Sequence, residues 1–184
     1  MKKVAIDIDS TLAATYHRVF EYLDGPQHGY TYDDLKYWDW PIDRWGEEHF
    51  FDAFRYVWSC QAASVPLYDC GGPLVTELLS DHPEFEVDIV TAQEDCTQME
   101  SGKRLWLYDN EFEYNNFVTV PLGKTKAELD YDIYVDDKPS LPERVTDGEV
   151  YLIDHRYNRD APGEYTRVDT PSQAYMHMTQ GMRA

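Results

Sequence analysis

Four short apolar runs, rich in β-branched residues, are spread along the chain, and each closes in an acid or a threonine. Val4-Ala5-Ile6-Asp7-Ile8 comes first. Val87-Asp88-Ile89-Val90-Thr91, Ile133-Tyr134-Val135-Asp136-Asp137 and Val150-Tyr151-Leu152-Ile153-Asp154 follow. Runs of this length, bounded by turn residues, fit strands buried on both faces. Phe117-Val118-Thr119-Val120 adds a fifth. Helical patterns fall between them: Thr11 to about Asp24, stopped by Gly25-Pro26; Leu74 to Ser80, opened by Gly71-Gly72-Pro73; Cys96 to Asn110; and Lys124 to Leu129. Strands alternating with helices predict an α/β fold, a doubly wound, mostly parallel sheet with helices on both faces.

Residues 26–65 break the alternation. Tyrosines, tryptophans and phenylalanines crowd there, and from Phe50 the spacing Phe50, Phe51, Phe54, Val57, Trp58 is helical. We read 26–65 as a small helical, aromatic-rich cap inserted after the first strand and helix. Residues 1–25 and 66–184 then form the α/β core. A helical cap needs a small core of its own, which uses most of these rings. One or two remain available to stack on a flat ligand.

Charge narrows the function classes. Thirty-five Asp+Glu against 16 Lys+Arg give a net charge of −19, and Asp outnumbers Glu 21 to 14. The acids run through the whole chain, so a broad basic face for duplex nucleic acid is excluded. Self-repulsion at this charge is relieved by salt, which points to a host with a salty cytoplasm. No apolar run approaches the roughly 20 residues of a membrane helix. Asp7 interrupts the first apolar stretch, so a signal peptide does not fit and a cytoplasmic location is expected. Cys60, Cys70 and Cys96 are an odd number without metal-site spacing and read as reduced thiols. His17, His28, His49, His82, His155 and His177 show no pairing at helix spacing for Zn²⁺.

The chemistry lies at the strand ends. In an open parallel sheet, ligands bind beyond the carboxyl ends of the strands, at a topological switch point. Asp7, Asp9, Thr91 and Asp136 are the candidates to converge there, with Lys124 or Lys126 reaching in from the segment before the fourth strand. Gathered carboxylates repel one another. Mg²⁺ takes oxygen ligands and is held by one or two carboxylates with phosphate and water, so Asp7 and Asp136 are candidate carboxylate ligands. Strand alternation returns Asp9 toward Asp7. Its carboxylate can approach a leaving group while its backbone carbonyl faces the metal. A D-x-D pair alone is commonplace, and Asp130-Tyr131-Asp132 is another in this chain. The ordered set of four motifs is more specific.

That set, Asp7-Ile8-Asp9-Ser10-Thr11, then Thr91, a lysine and Asp136-Asp137, resembles the haloacid-dehalogenase superfamily of phosphatases. The resemblance implies that Asp7 is the nucleophile and Asp9 the general acid/base. It implies that Thr91 and the lysine hold the phosphoryl group, and that the acidic pair completes the Mg²⁺ site, Asp137 in support of Asp136. The second acid, Asp9, implies phosphoryl chemistry rather than dehalogenation. Pro66-Leu67, Gly71-Gly72-Pro73-Leu74, Ile89-Val90-Thr91-Ala92, Lys103-Arg104-Leu105-Trp106-Leu107, Val135-Asp136-Asp137-Lys138-Pro139 and Tyr157-Asn158 run in the order of the 5′(3′)-deoxyribonucleotidase family, the 5′-nucleotidase type C group. The similarity covers residues 1–20 and 66–159. Family spacing selects Lys126, ten residues before Asp136, with Lys124 in reserve. Asp132 resembles a further family acid supporting the site. Ala92 stands where the family commonly has Ser, and Gln93-Glu94-Asp95 lacks a family lysine.

The expected activity is Mg²⁺-dependent hydrolysis of a phosphate monoester through an aspartyl-phosphate, with a nucleoside monophosphate as substrate. The alternatives are a phosphatase for a sugar phosphate and a nucleotide-binding protein without turnover.

Overall fold

The computed structural model describes residues 1–27, 29–69 and 71–180. Its strands are β1 (Lys2–Ile6), β2 (Phe85–Gln93), β3 (Asn116–Pro121), β4 (Ile133–Asp136), β5 (Glu149–Ile153) and β6 (Thr166–Val168). They form one sheet in the order β3-β2-β1-β4-β5-β6, every neighbouring pair parallel. The helices are α1 (Thr15–Asp24), α2 (Trp40–Trp45), α3 (Glu47–Cys60), α4 (Gly72–Asp81), α5 (Thr97–Asp109) and α6 (Pro171–Gln180). This is the doubly wound α/β architecture expected from the alternation. The chain builds outward from β1 to β3, then crosses back to lay β4, β5 and β6 on the other side. Winding reverses between β1 and β4, so a crevice opens beyond their carboxyl ends.

Strand alternation divides the core into two layers. Val4 and Ile6, Val87 and Ile89, Ile133 and Val135, and Tyr151 and Ile153 enter the larger one. Their chain neighbours Ala5, Val90, Tyr134 and Val150 enter a smaller one, as a period of two requires. The larger layer takes the buried faces of α1, α3, α4, α5 and α6. The smaller is covered by Ala127, Leu129, Val145 and Tyr165, from the connections flanking β4 and β5.

The insert packs into the common cluster rather than around a core of its own. Leu35, Phe50, Ala53, Val57 and Trp58 share one layer with Val4 and Ile6. Helix α3 lies against both α1 and α5. Gly102 lets the α3 and α5 backbones meet, because a Cβ there would stand 1.7 Å from the Trp58 carbonyl oxygen. Arg44 gathers a second group of rings, with its guanidinium 4.8 Å from the Tyr30 centroid and 5.1 Å from Trp45.

Three local features differ from the sequence reading. Helix α1 starts at Thr15, not Thr11. The N–H groups of Thr11, Leu12 and Ala13 all donate to the Ile8 carbonyl, at 3.3, 2.9 and 2.8 Å, and close a tight turn. Within it Ser10 adopts a φ of 60°, a left-handed conformation that costs roughly 1–2 kcal/mol for a residue with a Cβ. The helix expected over Lys124–Leu129 is a single 3₁₀ turn, Lys126–Glu128, capped by Thr125 Oγ1 accepting from the Ala127 N–H at 3.2 Å. Strand β6 and helix α6 extend the fold beyond the expected elements. Three residues with Arg167 in the middle are too short to show a period.

Among the described residues no helix is long and apolar enough to cross a membrane. Cys60 and Cys96 are free thiols, while Cys70 and His28 lie outside the described residues.

Candidate active site

Ile6 pairs with Val135, and the Asp7 N–H donates to the Val135 carbonyl at 3.0 Å. The next residues out, Asp7 and Asp136, therefore leave β1 and β4 side by side. Lys126, from the 3₁₀ turn before β4, reaches both. Its Nζ lies 2.6 Å from Asp136 Oδ2 and 2.7 Å from Asp7 Oδ1. Asp137 follows at once and is also buried. Its carboxylate accepts from the Tyr157 hydroxyl, and its carbonyl accepts from the Asn158 amide at 2.8 Å. The Lys138 N–H donates to Asp136 Oδ1 at 2.8 Å.

Burial dominates the acidity of this group. It pushes Asp7 up to about 6 against the pull of Lys126, with Asp136 and Asp9 pushing the same way. Burial, then Asp136 and Asp7, raise Asp137 well above the usual carboxylate range. For Lys126 burial opposes the charge, but Asp136 and Asp7 outweigh it and hold the ammonium protonated beyond the usual lysine range. Three ionised acids beside one ammonium leave two negative charges, which one divalent cation balances. The residues fit such an ion. Asp7, Asp136 and Asp137 each offer an oxygen within 4.8 Å of the others. Asp7 Oδ1 is met only by the Lys126 ammonium, which it shares with Asp136. Carboxylate oxygens suit Mg²⁺ or another hard cation.

The Asp9 carboxylate stands apart from that trio. Its Oδ1 accepts from Thr15 Oγ1 at 2.7 Å and from Trp58 Nε1 at 2.9 Å. Its Oδ2 accepts from Lys103 Nζ at 2.8 Å. Lys103 is fully buried and also donates to Thr91 Oγ1 at 2.8 Å. The side chain that joins Asp7 and Asp136 is thus that of Asp137, not Asp9. Thr91 is fully buried and engaged by Lys103, while the cavity wall beside it is formed by Ala92, Gln93 and Glu94. Lys126 is the lysine in the site; Lys124 is exposed. Asp132 lies at the opposite end of β1, where it accepts the Lys3 N–H at 2.7 Å, so it does not support the site.

Four residues around Asp9 carry roles the sequence reading did not assign: Thr15, Trp58, Lys103 and His155. Lys103 occupies the apolar face of α5 with Met99 and Trp106, and a lysine at a core position is a readable signal. Trp58 lies on the buried face of α3, where an indole N–H must find an acceptor. His155 Nε2 donates to the Ser10 carbonyl at 2.7 Å and steadies the strained turn after Asp9. Its ring stacks on Tyr157 at 4.8 Å, and burial lowers it to about 4, so it is neutral at physiological pH.

These groups meet in a cavity of about 210 Å³. Asp7, Asp9, Lys103, Lys126 and Asp136 line its floor, and Trp38, Ile42, Phe50, Phe51 and Phe54 form its cap side. Arg55 of α3 bridges to Glu94 at 2.8 Å and ties the cap to the end of β2. An acidic floor that suits a cation, beneath apolar walls, fits an anionic group attached to an apolar or aromatic one.

No protein-family model matches this chain, and no curated protein matches it. Among solved structures, a chain of a Pnkp1/Rnl/Hen1 complex and a chain of a Pnkp1/Rnl/Hen1 RNA repair complex are similar over 92% of this chain, at 12% identity. Their TM-scores are 0.43 and 0.42, and this chain spans 46% and 42% of their lengths. Likeness at that level carries no argument about function.

Proposed function

We propose that this protein is a Mg²⁺-dependent phosphate monoester hydrolase of the haloacid-dehalogenase type, acting on nucleoside monophosphates through an aspartyl-phosphate. One observation carries the reading: Asp7, Asp9, Lys126 and Asp136 converge on the floor of a single cavity that an aromatic cap roofs. Asp7 attacks phosphorus in line and displaces the alkoxide. Asp9, entering the first step protonated, gives that proton to the departing oxygen and takes one back from the water that hydrolyses the acyl phosphate. Thr15, Trp58 and Lys103 hold the Asp9 carboxylate in place for both steps. Lys126 presents its ammonium to the equatorial phosphoryl oxygens. Asp7 and Asp136, with Asp137 in support, would hold Mg²⁺, which would supply the positive charge that lets a phosphate dianion sit among carboxylates. Thr91 serves the site by anchoring Lys103.

The aromatic walls favour a nucleoside over a bare sugar as the leaving group, since an apolar wall gives a polyhydroxylated ring no hydrogen bonds. The free thiols Cys60 and Cys96 and the net charge of −19 support a reducing, salt-rich cytoplasm as its setting.

A phosphate-release screen over nucleoside monophosphates and sugar phosphates, with Mg²⁺ in low and molar KCl, tests the reading. Release from nucleotides that stops in EDTA and returns with Mg²⁺ is the expected result. No release from any ester at either salt, or full activity in chelator, would refute it.

A further inference from the structure

Gln93 closes β2 two residues beyond Thr91 and lines the cavity. Its side chain is 5% exposed, and its amide oxygen is buried with no hydrogen-bond partner. A buried amide oxygen left unpaired destabilises a fold, and native chains hold such groups paired almost everywhere. The neighbouring polar groups are already engaged. Glu94 is bound by Arg55, Asp9 by three donors, and Asp7 and Asp136 by Lys126. Trp38, Phe50, Phe51, Phe54, Met99 and Leu122 make most of the remaining wall, with Ser10, Tyr16 and Lys138 also in the lining. Gln93 is thus an uncommitted acceptor set in a largely apolar and aromatic wall.

We infer that Gln93 is a specificity-determining residue that pairs with the lactam or amidine edge of a heteroaromatic ring held between those walls. This deepens the phosphatase reading and rests on it. The leaving group becomes an alcohol carrying a nucleobase, and the amide reads a ring N–H or amino group together with the neighbouring carbonyl or ring nitrogen. A hydrocarbon ring fills the same walls but leaves the amide unpaired. A site built to hydrogen-bond a polar substrate group discriminates strongly against an analogue that lacks it.

The test compares wild type with Gln93→Leu on three esters: the preferred nucleoside monophosphate, phenyl phosphate and ribose 5-phosphate. Leucine replaces an unpaired amide by an apolar group of similar size, so the variant is expected to melt at or above the wild-type temperature. Its kcat/KM is expected to fall at least roughly tenfold more on the nucleotide than on either other ester. An equal fall on all three esters, or a larger fall on ribose 5-phosphate, overturns the assignment. Should Gln93→Leu melt below the wild type, Gln93→Met is measured in its place against the same criterion. If the wild type hydrolyses none of the esters, the phosphatase reading fails by itself, and calorimetry with nucleosides then decides the role of Gln93. Binding that Gln93→Leu abolishes supports the role; equal binding in both proteins, or none in the wild type, overturns it.

Discussion

The Asp7 half and the Asp9 half of the site each join acid to a buried lysine, yet only one of them is complete. Around Asp7, three buried carboxylates stand together beside one ammonium, Lys126, which reaches Asp7 and Asp136 but not Asp137. Around Asp9, one carboxylate takes three donors, one of them the ammonium of Lys103. Negative charge left over within the protein marks the place where something positive must bind. Charge that the protein has already met marks a side chain to be held still. On the proposed phosphatase reading, the contrast separates the half that would take up cation and phosphate from the half that positions one carboxylate.

The largest effect falls on the incomplete half. Asp7→Asn keeps the shape and removes the proposed nucleophile, so phosphate release is expected to drop by roughly 10⁴-fold or more while the protein stays folded. Turnover near the wild-type rate would take the chemistry away from this half altogether.

Asp9→Asn probes the other half, and its effect depends on the leaving group. General acid–base assistance is worth about 10²–10⁴-fold, and a nucleotide alkoxide needs it. The phenolate of p-nitrophenyl phosphate departs without a proton, so the first step on that ester is expected to lose much less. Hydrolysis of the second step still needs a base, so aspartyl-phosphate should accumulate and be visible by rapid quench and intact mass. Equal losses on both esters with no phosphoenzyme would make Asp9 a structural acid and remove the contrast between the halves.

A smaller effect comes from the side chains that hold Asp9. Lys103→Met removes a charged hydrogen bond, which predicts a loss in kcat of roughly tenfold or somewhat more on nucleotides. Trp58→Phe removes the N–H together with the five-membered ring of a fully buried indole, which predicts a loss of a few-fold in kcat and a lowered melting temperature. In both variants KM should change less than kcat, and the loss should shrink on p-nitrophenyl phosphate as it does for Asp9→Asn. A uniform loss on both esters, or a change confined to KM, would show that these groups merely fill space.

The two halves also differ in how far the sequence discloses them. Asp7, Asp136 and Asp137 follow directly on apolar β-strand runs, so their place at the strand ends is written in local pattern. Lys126 precedes Asp136 by one short connection. The partners of Asp9 come from α1, α3 and α5, three elements whose meeting depends on tertiary packing that no local period encodes. Thr91 shows the same limit: its position at the end of a strand is legible, but the direction of its hydroxyl depends on Lys103. The parallel sheet was legible because strands buried on both faces read as continuous apolar runs. Strand β6 was not, because three residues carry no period. In the insert, the density of rings announces packed helices. Only the fold shows that Trp58 is used against Asp9 while Phe51 and Phe54 face the cavity.

The smallest effect concerns stability and bears most directly on whether the Asp7 half is left uncompensated. Burial raises Asp7 from an ordinary 3.8 to about 6, so between those values the folded protein binds more protons than the unfolded chain. Stability contributed by this group therefore falls as pH rises through that window, and the full penalty is present above about 6. Asn carries no such penalty. In chelator, the melting temperature of Asp7→Asn minus that of the wild type should grow from pH 4 to pH 7 by a few degrees, given about 2–4 °C per kcal/mol for a chain of this size. Two other groups titrate nearby: Asp137 is raised in the same sense, and His155, lowered to about 4, acts in the opposite one. His155 remains in each protein and largely cancels in the difference, whereas Asp137 loses the push of the Asp7 charge in the variant and so enlarges the difference in the same direction. Mg²⁺ should close the gap at pH 7 by stabilising ionised Asp7 in the wild type and leave it little changed at pH 4, where Asp7 is protonated. A difference that stays flat from pH 4 to pH 7 would mean that the Asp7 charge is already met by Lys126, as the Asp9 charge is by Lys103, and that the two halves do not differ in compensation.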